Sequence, residues 1–380
     1  MHLTSSMKVL ISAESYEPRV NGVSNSIKQV LSRLSTEENE FFVLAAAPSF
    51  TAAGTKTQYL LPSFVIPGIP EYDFPLVTVN KIEKILAKEN FDLIYLASPF
   101  YLGWKVLKAA KRFNLPVISI FQTDVSGFAK FYGFSMLTKF IDWHIKRIHQ
   151  NSNLNLVPSE NSWNYLKDLG VKDLKLWPRG VDTQLFSPNR FNQELRDKWS
   201  PSKRMLIGYV GRLAPEKHIE DLKYVDDREA NQLVIIGDGP ELNKLKKIFP
   251  NAIFTGRLSG PALATAMASL DVIIASGRYE TFCQVVQEAK ASGTVVLVPN
   301  VGASQELIEH NKTGFVYDVS NLTEIRSLVS NIQISPKIRQ SVAEQARHSV
   351  LERDWKTLTE SLNCEFQSLV KKKSLVGDLA

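Results

Sequence analysis

Cysteine is nearly absent from this chain: 2 in 380 residues, Cys283 and Cys364. Two thiols so far apart build neither a disulfide framework nor a cysteine-based metal site. Their scarcity fits a reducing compartment. Long apolar runs are missing too, and none reaches the roughly 18 residues that a membrane-spanning helix needs. The opening "MHLTSSMKVLISAESYEPR" lacks the make-up of a signal peptide, because its apolar stretch from Val9 to Ile11 is short and Glu14 follows soon after. Met7 stands beside Met1 as a candidate start, since the strand-like run begins at Lys8. No internal repeat and no low-complexity segment occurs. Charge imbalance is small: 45 Lys and Arg against 39 Asp and Glu leave +6. That excess suits an anionic partner, whether nucleotide, phosphorylated substrate, acidic membrane face or nucleic acid, and does not choose among them.

What is present is the composition of a folded protein, 44% apolar and 22% charged. A domain takes about 100–200 residues, so this length favours two. "KVLISA", "FFVLAAA", "DLIYLA", "PVISIFQ" and "LNLVPS" are apolar without alternation, as parallel strands covered on both faces are. Helical patterns such as "SNSIKQVLSRL" and "TVNKIEKILAKEN" lie between them, which is βαβ alternation. After the proline-bearing, charged stretch from Leu176 to Arg204 the pattern restarts with "MLIGYVGRL", "QLVIIGDG", "AIFTG", "DVIIASG", "TVVLVPN" and "TGFVYD". The fold predicted is α/β, with two Rossmann-like doubly wound domains facing a central cleft. The first covers residues 1–185 and the second 186–357, and a final helix at about 358–380 packs back on the first.

In such sheets ligands bind beyond the carboxyl ends of the strands. There, "PRVNGVSNSI" offers a turn at Asn21-Gly22 and a helix start near Ser24 to Ser26, which reads either as an anion cradle or as a plain βα loop. "GYVGRLAPEK" places Arg212 and Lys217 at a strand end. They suit a diphosphate, Arg as a planar fork and Lys as a point charge, although exposed basic residues look the same. "GDGPEL" carries Leu242 where a dinucleotide fingerprint needs glycine, so a tight turn is the plainer reading. In "GRYETFCQVVQEAKASG", Glu280 precedes a helix and Glu288 lies within it. Val285, Val286 and Ala289 suggest that the face of Glu288 is buried, and a buried carboxylate needs a partner. "VGASQELI" reads as a helix start capped by Ser304. "SIFQTD" ends a strand in three polar residues, Gln122, Thr123 and Asp124.

Taken together, "GRLAPEK", "GDGPEL", "FTG", "YETFCQVVQEAKASG" and "GASQELI" resemble the donor half of retaining GT-B glycosyltransferases of family four. "YEPRVNGVSNSI", "LASPFYLG", "QTDVSGFAKFYG" and "PRGVDTQLFSP" resemble, within that family, the actinobacterial GDP-mannose-dependent α-mannosyltransferases acting on glycolipids. The resemblance implies that Arg212 and Lys217 bind the donor diphosphate. Glu280 then meets the hydroxyls of the transferred sugar, and Glu288 the ribose. Thr281, Phe282 and Cys283 line the sugar and phosphate site with their backbone. Gly22 lets the diphosphate approach, and Arg257 lies near the base. Gln122, Thr123, Asp124 and Tyr132 fall on the acceptor side. Many relatives have histidine where this chain has Gln122, and an amide is no general base, so the acceptor proton passes to the diphosphate or to Asp124. Arg212, Lys217, Glu280 and Asp124 are thus the implied catalytic residues. No metal or other cofactor is implied, in keeping with the absence of an Asp-x-Asp element, and nucleic acid is not a partner.

"FAKFYGFSMLTKFIDWHIKRIHQ" interleaves Phe128, Phe131, Phe134, Phe140 and Trp143 with Lys130, Lys139, Lys146 and Arg147. It reads as a membrane-surface element or as a core helix with a basic face. The chain is expected to be cytoplasmic, and on the first reading peripheral on the cytoplasmic face of the plasma membrane. Rival functions are transfer from a UDP-sugar to another acceptor, a nucleotide-sugar epimerase on the same plan, a non-catalytic nucleotide-binding module, and a glycoside hydrolase. A hydrolase would use paired carboxylates but has no need of diphosphate cations.

Overall fold

The computed structural model describes residues 7–17, 22–35, 39–46, 57–66, 69–227 and 229–377. The chain forms two compact units, Met1–Arg179 with Lys356–Ala380, and Gly180–Trp355.

The first unit holds strands β1 (Met7–Ala13), β2 (Asn39–Ala46), β3 (Gln58–Leu61), β4 (Ser63–Ile66), β5 (Ile69–Pro75), β6 (Leu93–Leu96), β7 (Val117–Ile120), β8 (Leu154–Val157) and β9 (Leu174–Leu176). Seven form a parallel sheet in the order β3-β2-β1-β6-β7-β8-β9, while β4 and β5 pair as an antiparallel ribbon. The central strands are buried on both faces, which is why their sequences show no alternation. Val9 of β1 stands opposite Phe41 of β2 and Leu93 of β6. Strands β3 and β9 and the ribbon were not foreseen. The first two are edges in which only Leu61 is fully buried, so they carry no continuous buried apolar run.

The second unit repeats the plan with β10 (Met205–Val210), β11 (Asn231–Ile236), β12 (Ile253–Gly256), β13 (Val272–Ile274), β14 (Val295–Pro299) and β15 (Phe315–Tyr317). The order β12-β11-β10-β13-β14-β15 is parallel throughout. One apolar cluster, with Leu206, Val234, Ile273 and Val296, covers one face, and another, with Ile207, Ile235, Val272 and Leu297, covers the other.

Each sheet has one switch point, where the chain leaves one side of its first strand and returns on the other. In the first unit it lies between β1 and β6, and it is filled from within. Glu14, just past β1, is 3% exposed and accepts N–H bonds from Phe100 (2.7 Å), Leu102 (2.9 Å) and Gly103 (3.3 Å). These amides open the helix Tyr101–Arg112, so its positive end meets a carboxylate supplied by the chain itself. In the second unit the corresponding switch, between β10 and β13, is bordered by "GRLAPEK" and "SGRYE".

Burial pushes the Glu14 carboxyl up to about 7, against the backbone amides that pull it down. Folded Glu14 therefore binds its proton more tightly than the unfolded chain, whose value is near 4.5. The stability it confers is complete below that value and is lost as pH rises through about 7. At 1.36 kcal/mol per pKa unit the loss is about 3 kcal/mol. Urea unfolding at pH 5 and pH 8 should show this fall in the native chain and not in Glu14→Gln. Parallel pH profiles in the two chains would contradict it.

Candidate active site

At the switch point of the second unit, the loops after β10 and β13 bring Lys217 and Glu280 together. Lys217 ends the short turn Pro215–Lys217, and Glu280 stands four residues before the helix Gln284–Ala291. Lys217 Nζ lies 2.5 Å from Glu280 Oε1, and the two side chains are 19% and 22% exposed. Burial pulls the Lys217 ammonium down, but the charge and hydrogen bond of Glu280 outweigh it and leave its pKa raised. Lys217 is therefore charged at neutral pH. Arg212, two residues past β10, pairs with the buried Glu216. Tyr209 donates to the Arg212 carbonyl (2.9 Å), and Ser276 Oγ to the Lys217 carbonyl (2.7 Å). Arg278 pairs with Asp221 at 2.8 Å. Side chains from both loops thus fix where the cations stand.

Two further loops pack on these through glycine. Gly237 has φ +147, and a Cβ there would run into the Gly211 carbonyl oxygen. Leu213 N–H donates to the Asp238 carbonyl (2.9 Å), joining "GDG" to the first loop. Gly302, at φ +74, leaves a Cβ only 2.5 Å from the Arg278 carbonyl, and Ala303 N–H donates to the Glu280 carbonyl (3.2 Å). The expected helix capped by Ser304 is instead a five-residue 3-10 turn, Ala303–Leu307, without a side-chain cap, and Ser304 is buried. Close backbone contact with Arg278 shapes this segment more than capping does. Lys290, 3% exposed, donates to the Leu307 carbonyl at 2.6 Å and holds the turn from behind.

Thr281, Phe282 and Cys283 share the loop of Glu280. Phe282 packs into the core beside Val286, so its backbone is what faces the loop. Cys283 adopts φ +69 at the helix start, and burial pushes its thiol up, so it remains protonated. Glu288 is half-buried, and the fully buried polar side chains of its helix are Gln287 and Lys290. Arg257 is exposed, one residue past β12.

In the first unit, Gln122 follows β7 and is 6% exposed. Its amide donates to the Ala97 carbonyl (2.9 Å), and its oxygen accepts from Arg179 Nη2 (2.7 Å). Thr123 is half-buried. Asp124 caps the helix Val125–Phe131 by accepting the Gly127 N–H at 2.7 Å, and burial pushes its carboxyl up. Tyr132 ends that helix, 47% exposed. Gly22 opens the helix Gly22–Leu34, and Asn21 lies outside the described residues. Beyond Tyr132, Phe134, Met136, Leu137, Phe140 and Trp143 are exposed, with Lys130 and Lys139 among them and Arg147 stacked over Trp143 at 5.1 Å. Glu14, Arg179, Arg278 and Asp221 were not singled out from sequence. Arg179 sits inside the quoted "PRGVD", and Glu14 immediately after a buried strand, which was the available signal. Among the described residues no helix is long and apolar enough to cross a membrane, and no group of three or more His, Cys, Asp or Glu is placed to hold a metal ion.

The glycine contacts predict unequal costs. A Cβ at Gly256, φ +73, meets nothing within 4 Å, so Gly256→Ala costs only the left-handed backbone penalty, about 1–2 kcal/mol. Gly237→Ala must also displace backbone, which adds about 1–3 kcal/mol. Chemical denaturation of the two variants should rank them in that order; equal losses would show that the Gly211 contact yields freely.

Residues 20–185 match Glycosyltransferase Family 4, and residues 191–349 match Glycosyl transferases group 1. The chain is 36% identical over 376 residues to the GDP-mannose-dependent alpha-mannosyltransferase of Mycolicibacterium smegmatis, spanning 97% of this chain and 99% of that one. It is 37% identical over 370 residues to the protein of the same name from Mycobacterium tuberculosis, spanning 96% and 97%. Sucrose-phosphate synthase from Thermosynechococcus elongatus shares the fold, with a TM-score of 0.81 at 18% identity over 96% of this chain and 100% of that one. With both halves matched and relatives aligned along nearly its whole length, this chain belongs to the GT-B glycosyltransferases of family four and is an enzyme that transfers a sugar.

Proposed function

We propose that the enzyme transfers mannose from GDP-mannose to a glycolipid acceptor with retention, forming an α-linkage. The observation that carries this reading is the Lys217–Glu280 contact at the switch point of the second unit, with Arg212 on the same loop. Relatives named for GDP-mannose at 36% and 37% identity support the choice of donor. In this reading the second unit takes the donor and the first the acceptor. The first unit already fills its switch point with Glu14, whereas the second lines its own with cations.

As the bond from sugar C1 to the diphosphate breaks, negative charge grows on the leaving oxygen. Lys217 and Arg212 are aimed where that charge develops, which is electrostatic stabilisation by preorganised groups. Glu280 accepts hydrogen bonds from the sugar hydroxyls, Glu288 from the ribose, and the backbone of 281–283 follows the sugar and phosphates. Arg257 lies toward the base. These two cations supply the counter-charge, so no metal is required. The acceptor hydroxyl attacks on the face from which the diphosphate departs. Its proton passes to the diphosphate, because Gln122 is an amide engaged at both ends and Asp124 already caps a helix. Thr123 and Tyr132 fall on this acceptor side. A lipid acceptor lies in a bilayer, and the exposed Phe134, Met136 and Phe140 beside Lys130 and Lys139 suit insertion at an anionic, cytoplasmic membrane face.

Lys217→Ala should lower mannose transfer from GDP-mannose at least about tenfold, and as far as 10²–10³, the usual worth of one preorganised charge contact. GDP release together with analysis of the mannosylated lipid measures it. A change below about twofold would sink the diphosphate role, and product formed only from other nucleotide sugars would overturn the donor.

A further inference from the structure

We propose that Gly22, Gln122 and Arg179 form an anion-binding device on the first unit: Arg179 holds phosphate oxygens, Gln122 aims its guanidinium, and Gly22 leaves it room. This deepens the reading above, on which it rests only for the source of the phosphate.

Arg179 is 8% exposed, and its guanidinium occupies the space that a Cβ on Gly22 would fill. Cζ and Nη2 lie 3.1 Å from that point, and Nη1 lies closer. The glycine is therefore required by the arginine, not only by an approaching ligand. Gly22 itself is exposed, so the guanidinium beside it is within reach of a solute. The orientation of Gln122 is forced. Its oxygen can only accept from the guanidinium, and its NH2 can only donate to the Ala97 carbonyl. This neutral amide fixes the planar fork without cancelling its charge, an arrangement suited to bidentate recognition of phosphate. A histidine at 122 would present different atoms to Arg179. Glutamine there is a positioning residue, which accounts for an amide where a proton acceptor was sought.

The test is a double-mutant cycle on the full chain, read by calorimetric titration of inorganic pyrophosphate, with thermal midpoints recorded for every variant. Arg179→Gln should weaken binding about ten- to a hundredfold, the worth of a charge-assisted hydrogen bond. Arg179→Lys, which keeps the charge and loses the fork, should fall between and serves if the glutamine variant does not fold. Gly22→Ala should weaken binding although alanine favours the helix and holds or raises the midpoint. In the Arg179→Gln background Gly22→Ala should then add nothing. Unchanged binding in the Arg179 variants overturns the proposal, and so do Gly22 and Arg179 losses that simply add, since Gly22 would then make room for the ligand directly. Pyrophosphate carries neither guanine nor mannose. A chain that binds it through Arg179 and does not turn over GDP-mannose keeps this inference and loses the donor reading. Repeating the cycle with GDP and with phosphatidylinositol vesicles assigns the source: a loss confined to GDP marks the donor phosphate, and a loss confined to vesicles marks a lipid headgroup.

Discussion

The ion pair between Lys217 and Glu280 is the contact on which the second unit's site depends. It joins residues 63 apart in the chain, from the two loops that flank the switch point. A cation and a carboxylate in contact, each about one-fifth exposed, are stable only because each neutralises the other. The same two charges are the groups a sugar diphosphate needs, a positive one for phosphate and an acceptor for hydroxyls. A donor that engages both loses little by replacing their mutual contact with contacts to itself. Tyr209, Ser276 and Asp221 hold the loops, so the charges keep their places.

Two sheets of the same plan are put to different uses by what stands at their switch points. Glu14 gives the first unit an internal hydrogen-bond acceptor, and three backbone amides that could receive a phosphate are already occupied. In the second unit the loop after β10 supplies Arg212 and Lys217, each paired with a carboxylate side chain, Glu216 and Glu280. Near-identical topology therefore carries different side chains at the two switch points. Fold alone says nothing about which half takes the nucleotide; the proposal that the second does rests on the residues after the first strand of each half.

Much of this was legible in the sequence. Strands buried on both faces announce themselves as apolar runs, and β1, β2, β6, β7, β8, β10, β11, β13 and β14 are legible that way, as are the shorter runs of β12 and β15. Edge strands β3 and β9 are not, because between them they bury only Leu61 and leave no such run. Arg212, Lys217 and Glu280 could be singled out because they follow strands. Their pairing could not, since a contact across 63 residues is set by tertiary packing. The helix after Cys283 was read with Glu288 on its buried face. The buried polar groups are in fact Gln287 and Lys290, which hydropathy patterns hide, and Lys290 is tolerated there because it reaches the Leu307 carbonyl. Gln122 was seen as a polar strand end and not as the holder of Arg179, whose partner lies 57 positions away.

The central claim is that the nucleotide diphosphate is received by the second unit's switch point and not by the helix end that Glu14 already fills in the first. Amide hydrogen exchange with and without GDP measures this directly. Protection should appear in residues 211–217, 237–239 and 277–283, while 98–103, already bonded to Glu14, should not change. Protection at 98–103 with no effect at 211–217 would contradict the account.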